Sequence, residues 1–243
     1  MILSLESIWI YAGTIQKNTM HSHFALQLTI TEEKPFTADF HNNSVSSRSL
    51  LIRNNVKHKL HSDEILVNLL FNPCSSAGHF LFAQLKDHNW IDYHASWLDS
   101  IKASFSQYYK QKIDQEQLVQ SVSEGISQIY CLCRERNHFD DQRISDAVSY
   151  LEEHSMEVVP VEEIASVCSL SPDRFLHLFK EKTGITYRRF QLWNKLHHAF
   201  QCVLSGMSLT DSAYEAGFAD SSHFSRTFRE TFGELPGKIF KMK

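Results

Sequence analysis

Apolar and polar positions alternate with a period of two along several short stretches of the first ninety residues. In HFALQLTI, Phe24, Leu26, Leu28 and Ile30 lie on one side of an extended chain. Further stretches with strand character are SLESIWIY, FTADFH, SLLIRN and EILVNLLF, and polar turns such as HNNSVSS separate them. Many short strands in so small a segment predict a small antiparallel β-barrel or sandwich over residues 1–90.

A helical period replaces this alternation from about residue 94. The apolar positions are spaced by three or four residues, first at Leu98, Ile101, Phe105 and Tyr108, then at Val119, Val122, Ile126, Ile129 and Cys133. This spacing predicts a helical hairpin over residues 91–133. The hairpin either packs on its own barrel or forms a seam between two chains, because such spacing also suits helix pairing. Two heptads leave both interpretations open.

A polar stretch, residues 134–143, predicts a linker, and residues 144–243 have the character of an all-α domain. Helix boundaries are well marked in this part. Ser171, Pro172 and Asp173 predict one helix start. Other predicted boundary residues are the caps Asp220 and Ser208 (the latter with Asp211, as in a capping box) and the terminal glycines Gly184 and Gly233. The predicted fold class is therefore α+β, with a β-barrel followed by helices.

The helical domain contains an internal repeat. SLSPDRFLHLFKEKTG resembles GFADSSHFSRTFRETFG about fifty residues later, and VEEIASVCSL corresponds to LTDSAYEAGF upstream of it. Each copy predicts a short helix, a tight turn and a longer helix. This is the helix-turn-helix arrangement, whose second helix normally enters the major groove of DNA.

The second helix of each copy has one aromatic face and one largely polar face. On a wheel of 100° per residue, paired phenylalanines occupy the inner side. The predicted DNA-facing residues are Asp173, Leu176, His177 and Lys180 in the first copy and Ser222, Ser225, Arg226 and Arg229 in the second. Arginine suits bidentate bonding to guanine and serine pairs with several base edges, whereas Lys180 and Arg229 are placed to reach phosphate.

The segment between the copies, TYRRFQLWNKLHHAFQCVLSG, carries an apolar stripe at helical spacing. About nineteen helical residues span roughly 28 Å, close to the ~34 Å that separates successive major-groove faces. A rigid helix of this length predicts two recognition helices about one DNA turn apart.

Composition adds local rather than global information. The formal net charge is −4, but residues 172–243 hold 11 Lys+Arg against 7 Asp+Glu, a local excess of +4. Five scattered cysteines do not form a disulfide framework. The first residues lack the basic region of a signal peptide, and the longest apolar run falls short of the ~20 residues that span a bilayer. We expect a cytoplasmic chain without membrane contact.

Residues 144–241 resemble the DNA-binding domain of AraC/XylS-type bacterial transcription regulators. The resemblance rests on LSPDRFLHLFKEKTG, KLHHA and AYEAGFADSSHFSRTFRETFGELPGKIFK. It departs from the family pattern at His177 and Lys195, where arginine is usual, at Ser169, where glycine is common, and at Ser212, where a bulky apolar residue is usual. We therefore expect the second copy, through Arg226, to carry more of the base-specific binding energy.

The N-terminal segment resembles, at scattered residues, the cupin-like barrel that often precedes this domain. HSHFALQ is similar to the first metal motif of cupins, with His21, His23 and Gln27 on one strand face and His58 at the second motif position. Imidazoles at i and i+2 can converge on one ion. We interpret the four residues as an effector pocket without metal or cofactor. Glutamine is a poor replacement for the usual carboxylate, which argues against a metal, and the three histidines are the candidate ligands of the alternative in which one binds.

These observations predict a sequence-specific, effector-responsive transcription activator rather than an enzyme. The expected partners are double-stranded DNA, a second copy of the chain and a small-molecule effector. RNA polymerase is a further partner implied by the family resemblance. The alternative is a metal-dependent cupin enzyme fused to a DNA-binding module.

Overall fold

The computed structural model describes residues 1–5, 8–15, 18–131, 139–154 and 157–240. Cys133, the last position of the predicted apolar stripe, lies outside these residues. The chain divides into two compact units, built mainly from Met1–Cys131 and from Leu132–Glu230. Among the described residues, no helix has both the length and the apolar character that a bilayer crossing requires.

The first unit is built on antiparallel strands. They are β1 (Ile2–Leu5), β2 (Ile8–Ile15), β3 (Leu26–Thr31), β4 (Phe36–Phe40), β5 (Ser44–Ser47), β6 (Ser49–Ile52), β7 (His58–Phe71) and β8 (Trp90–Asp92). The main path runs β1-β2-β7-β3-β6-β8, and β4 pairs with β5 and β7. The long strand β7 joins the β4–β5 pair to the main path. Its first residues pair with β4, and its last residues pair with β2 and β3.

The predicted α+β class, with an N-terminal antiparallel sheet and C-terminal helices, is confirmed. The predicted barrel needs a correction, because no pairing among the described residues joins β1 to β8 and closes the sheet. The buried apolar residues of this unit form two clusters. One consists of side chains from the strands, including Phe36, Leu50 and Leu60, and lies on one face of the sheet. The other lies on the opposite face of the sheet.

Helices α1 (Ser76–Leu85), α2 (Ser96–Tyr109) and α3 (Gln115–Ser127) cover that opposite face. The predicted stripe residues Leu98, Ile101, Phe105 and Val122 are buried there together with strand residues. The interpretation that the hairpin packs on its own sheet therefore holds for these side chains. They are not available as a seam between chains.

Three elements of this unit escaped the sequence analysis. Helix α1 lies within the segment assigned to strands, β5 lies within the stretch assigned to a polar turn, and β8 has only three residues. Helix α1 is capped by the Ser75 hydroxyl, which accepts from the Gly78 backbone N–H. Its apolar residues lack a strong one-sided pattern, so periodicity could not reveal it.

The second unit is helical. Its elements are α4 (Gln142–Glu153), α5 (Val161–Val167), α6 (Pro172–Thr183), α7 (Tyr187–Leu204), α8 (Leu209–Glu215), α9 (Ser221–Phe232) and α10 (Pro236–Phe240). The predicted caps form: Ser171, Ser208 and Asp220 each accept a bond from a backbone N–H in the first turn. Gly184 and Gly233 adopt left-handed φ values of 75° and 73° where α6 and α9 end. Helix α4 begins two residues before the predicted start of this domain.

Candidate nucleic-acid interface and histidine cluster

The two helix-turn-helix copies have the same turn. In the first, the Ser169 N–H donates to the Ser166 carbonyl at 2.9 Å, and in the second the Gly217 N–H donates to the Tyr214 carbonyl at 2.9 Å. Both central residues are left-handed, with φ of 54° for Ser169 and 73° for Gly217. The next residue of each copy donates its backbone N–H to the carbonyl of a fully buried alanine. Leu170 donates to Ala165 and Phe218 donates to Ala213, both at 2.9 Å. The repeat seen in the sequence is therefore a structural repeat.

Helix α6 is held by its aromatic face. The rings of Phe175 and Phe179 are 5.5 Å apart between centroids, and both contact Tyr187 of α7. The four residues predicted to face DNA, Asp173, Leu176, His177 and Lys180, are all exposed. Leu176 keeps 38% of its surface accessible. An apolar side chain at this position can contact a thymine methyl group.

Helix α9 repeats the arrangement. Phe224 and Phe228 are buried with centroids 5.7 Å apart, and Phe218 of the preceding turn contacts Phe224 at 5.3 Å. On the other side, Ser222, Arg226 and Arg229 are exposed and Ser225 is half-buried. The outward faces of α6 and α9 occupy matching positions of the repeat. Their assignment to DNA stays a prediction.

Helix α7 connects the two copies. Its 18 residues correspond to a length of about 27 Å. Phe190, Trp193, Leu196 and Phe200 are buried along it, as the apolar stripe predicted. Lys195 donates from Nζ to the Gly217 carbonyl at 2.8 Å, so α7 holds the turn of the second copy directly.

The four residues predicted to form an effector pocket lie together in the first unit. His21 and His58 form an isolated antiparallel bridge, with both backbone N–H···O distances at 2.9 Å. His23 lies just before β3, and Gln27 lies within it. All four are buried, and His58 has no accessible surface. One ring nitrogen from each histidine lies within 4.8 Å of those of the other two.

Each ring is oriented by a backbone carbonyl. Nδ1 of His21, His23 and His58 lies 2.9 Å from the carbonyl oxygens of Thr19, Ala25 and Val56, respectively. A carbonyl oxygen can only accept, so Nδ1 of each ring carries the proton. The free lone pair of each neutral ring is then on Nε2.

A polar network on the inner sheet face supports Gln27. Its Nε2 donates to Thr29 Oγ1 at 2.8 Å and to Asn68 Oδ1 at 3.1 Å. Its Oε1 lies 2.8 Å from His23 Nε2 and 3.1 Å from His58 Nε2. Sequence analysis missed Thr29 and Asn68. The signal was a polar residue at every second position of β3, which places Gln27 and Thr29 on one buried face.

Burial keeps the histidines neutral. Desolvation, followed by repulsion from His23, lowers the pKa of His21 to about 3. Desolvation also lowers the pKa of His23, partly offset by the Gln27 amide oxygen, which would stabilise a protonated ring, and it lowers the pKa of His58 well below its usual value. The cluster therefore offers lone pairs rather than positive charge at neutral pH.

Comparison with known proteins agrees with the helix-turn-helix geometry. Residues 164–242 match a family model described as a helix-turn-helix domain. The chain is 37% identical over 101 residues to the transcriptional activator RhaS of Enterobacter sp. strain 638, which covers 41% of this chain and 36% of that protein. These matches support the predicted resemblance to AraC/XylS-type regulators over the helix-turn-helix region. It spans only about a third of the length of the RhaS proteins that it matches.

A second relative extends further along the chain. The probable transcriptional regulator LumQ of Photobacterium leiognathi is 31% identical over 134 residues, 52% of this chain and 53% of that protein. Among solved structures, ToxT of Vibrio cholerae strain SCE256 with a bound unsaturated fatty acid aligns with a TM-score of 0.61 and 15% identity. That alignment covers all of this chain and 98% of ToxT, and it supports a fold similar to that of ToxT.

Two departures from the AraC/XylS pattern have structural consequences in the second copy. Ser212 takes the position of Ile164 in the first copy; both are fully buried, and Ser212 Oγ has no hydrogen-bond partner among the described residues. Lys195, in place of arginine, retains a bond to the turn. Two further exposed cations that were not predicted are Arg174 on α6 and Arg188 on α7. The local excess of positive charge was the available signal for both.

Proposed function

We propose that this chain is a sequence-specific DNA-binding transcription regulator, an effector-responsive activator that places α6 and α9 in successive major grooves. One observation carries the proposal. Two helices, at matching positions of a structural repeat, bury paired phenylalanines and expose polar and basic side chains on the opposite face. A single exposed face would be an ordinary solvated surface, but two copies with the same turn are typical of DNA readers.

Each exposed side chain has a role that its chemistry suits. Arg226 can bond to O6 and N7 of guanine, and Ser222 and Ser225 can pair with base edges. Lys180 and Arg229 lie one turn further along their helices, where they reach phosphates. His177 is a weaker base reader than arginine. The second copy therefore supplies most of the discrimination between sequences.

Helix α7 supports binding by both copies on one side of the duplex. Its length of about 27 Å is close to the ~34 Å repeat of the major groove, and the side chains of the two recognition helices add reach. Phe190 of α7 contacts Phe179 of the first copy, and Lys195 of α7 bonds to the turn of the second copy. A rigid connection of this kind reduces the entropy that would be lost if two freely linked modules bound together.

The first unit is proposed to sense an effector through His21, His23, Gln27 and His58. RhaS is an activator by its description, and ToxT has been crystallised with a small molecule bound. We extend both features, activation and effector binding, to this chain. A homodimer and contact with RNA polymerase complete the proposal, which places the chain in the cytoplasm. The outer surfaces of α2 and α3 are the candidate dimer contact, since their inner stripe is buried.

We do not carry the enzyme alternative forward. The relatives that share this helix-turn-helix domain are described as transcriptional regulators. The histidine cluster is better explained as a binding site than as a catalytic centre.

The decisive experiment selects genomic fragments bound by the full chain and measures affinity on the best of them. Arg226→Ala should weaken binding by ~1–3 kcal/mol and relax preference at one base pair. Arg48→Ala, which removes an exposed cation of the first unit, is the matched control and should leave affinity unchanged. If Arg226→Ala bound every fragment as the parent does, the assignment of the DNA-facing side would be wrong.

A further inference from the structure

We propose that His21, His23, His58 and Gln27 bind one divalent transition-metal ion, and that this ion is the effector. The inference names the ligand class for the effector site and so rests on the proposed function. Its physical basis is that this buried cluster holds more hydrogen-bond acceptors than donors. Three imidazoles and an amide oxygen converge there from three separate segments of the first unit.

Hydrogen bonding within the cluster is incomplete without a cation. Because the Nδ1 atoms are committed to backbone carbonyls, Nε2 of His23 and Nε2 of His58 present lone pairs. Both face Gln27 Oε1, at 2.8 and 3.1 Å, and this oxygen is also an acceptor. Acceptors held this close repel one another unless a positive group lies between them.

The orientation of Gln27 is fixed from its other side. Its Nε2 donates to Asn68 Oδ1, which also accepts from Thr29 Oγ1 at 2.7 Å. If the Gln27 amide alone were rotated by 180°, Oε1 would take the place of Nε2, 3.1 Å from Asn68 Oδ1. Two acceptor oxygens would then face each other without a proton between them. The network therefore aims the amide oxygen at the histidines.

The distances fit a first-row metal ion. Metal–nitrogen bonds of about 2.0–2.1 Å place neighbouring ligand atoms roughly 3.0–3.4 Å apart and opposite ones about 4.2 Å apart. The two contacts of Gln27 Oε1 are close to the lower figure. The ring nitrogens lie within 4.8 Å of one another, so the widest pair would have to approach by roughly 0.6 Å as opposite ligands or about 1.4 Å as neighbouring ones. Imidazole-rich, uncharged ligand sets suit Zn²⁺, Ni²⁺, Cu²⁺ or Fe²⁺ and do not suit Mg²⁺ or Ca²⁺.

The outer contacts also match those of metal sites. Metal-binding histidines normally donate their second ring N–H to a carbonyl or carboxylate, which fixes the ring and its tautomer. All three rings here do so at 2.9 Å. A bound ion would tie the segment before β3 to the start of β7, through His21 and His23 on one side and His58 on the other.

The first test titrates metal-free full-length protein with Zn²⁺ and measures the bound ion per chain. We expect one ion in the parent and in His41→Ala, which removes an exposed histidine, and no ion in His58→Ala. With Co²⁺ in place of Zn²⁺, visible d–d bands without thiolate charge-transfer absorption would identify nitrogen and oxygen ligands rather than cysteine thiolates. Equal Zn²⁺ binding in the parent and His58→Ala, or none in the parent, would overturn the site.

A second variant keeps the test valid if His58→Ala does not fold. Gln27→Glu supplies the carboxylate that such sites prefer and should tighten Zn²⁺ binding about tenfold or more, while Gln27→Leu should weaken it by a similar factor. If both variants bound Zn²⁺ as the parent does, Gln27 would not be a ligand. The four-ligand site proposed here would then be wrong.

The role of the ion is tested separately from the site. Binding of Zn²⁺ is measured without DNA, so a failure to bind DNA would sink the proposed function and leave the site standing. Operator affinity is then compared with and without Zn²⁺ in the parent and in His58→Ala. A Zn²⁺-dependent change of affinity in the parent alone is expected. If the parent bound Zn²⁺ but had the same operator affinity with and without the ion, the effector role would be refuted.

Discussion

Ser169 and Gly217 occupy the same point of two structural repeats and share a left-handed backbone, with φ of 54° and 73°. A side chain at such a position costs free energy that glycine avoids. The first turn therefore retains strain that the second has lost. The backbone hydrogen bonds of the two turns have equal lengths and do not offset this difference.

Replacing Ser169 with glycine should stabilise the second unit. We expect the free energy of unfolding to rise by about 0.5–1 kcal/mol, because the relief of backbone strain exceeds the added entropy of the unfolded chain. Gly217→Ala should lower it by about 1 kcal/mol, and its Cβ would meet Lys195 Nζ only at an ordinary 3.5 Å. Urea unfolding of the full-length variants measures both. A loss of stability in Ser169→Gly would contradict this account.

Ser212 should be a second site of stabilisation. Its buried hydroxyl lacks a partner among the described residues, so Ser212→Ala should raise the free energy of unfolding by about 1–2 kcal/mol. Ser145→Ala is the matched control, because the Ser145 hydroxyl is buried but donates to the Asp141 carbonyl. We expect that variant to lose up to about 1 kcal/mol. Thermal unfolding that ranks the two variants in the opposite order would refute the interpretation.

Phosphate and base contacts should separate in their salt dependence. Lys180→Ala and Arg229→Ala should weaken binding to all DNA sequences alike, and each should reduce the salt slope of log K by about one. Ser222→Ala should change sequence preference and leave the slope unchanged. Titrations at several salt concentrations, on the selected fragment and on unrelated DNA, give both quantities. A slope that Lys180→Ala leaves intact would place Lys180 away from the backbone.

His197 on α7 should make stability depend on pH. Desolvation, with a smaller contribution from His198, lowers the pKa of His197 to about 4 in the folded chain, below the ~6.5 of an unfolded one. The unfolded state therefore binds more protons between these values. The stability that neutral His197 allows is complete above about pH 6.5 and falls as pH drops toward 4, by at most ~1.4 kcal/mol per pH unit.

The measurement compares urea unfolding of the parent and His197→Gln across this range. Other groups titrate in both proteins, so only the difference between the two curves reports on His197. We expect the variant to lose less stability on acidification. Parallel curves would show that His197 is free to take up a proton in the folded chain.

Much of the second unit was predictable because its information is local. Caps at Ser171 and Asp220, terminal glycines, and phenylalanines four residues apart act within one helix, and each is visible as a spacing in the sequence. The repeat then supplied the turn and the outward faces. Periodicity could not decide what the apolar side of α2 and α3 packs against. Packing on the sheet of the same chain and packing on a second chain require the same spacing.

The sequence by itself determined the helix-turn-helix repeat and the exposed sides of α6 and α9, because helical geometry converts residue spacing directly into a face. Only the tertiary structure decided that the sheet stays open, that α1 covers it, and that Gln27, Thr29 and Asn68 share one network with the histidines. Those outcomes depend on pairings between residues far apart in the chain. His21 and His58, for example, form an antiparallel bridge although they are far apart in the chain, and no local spacing encodes that contact.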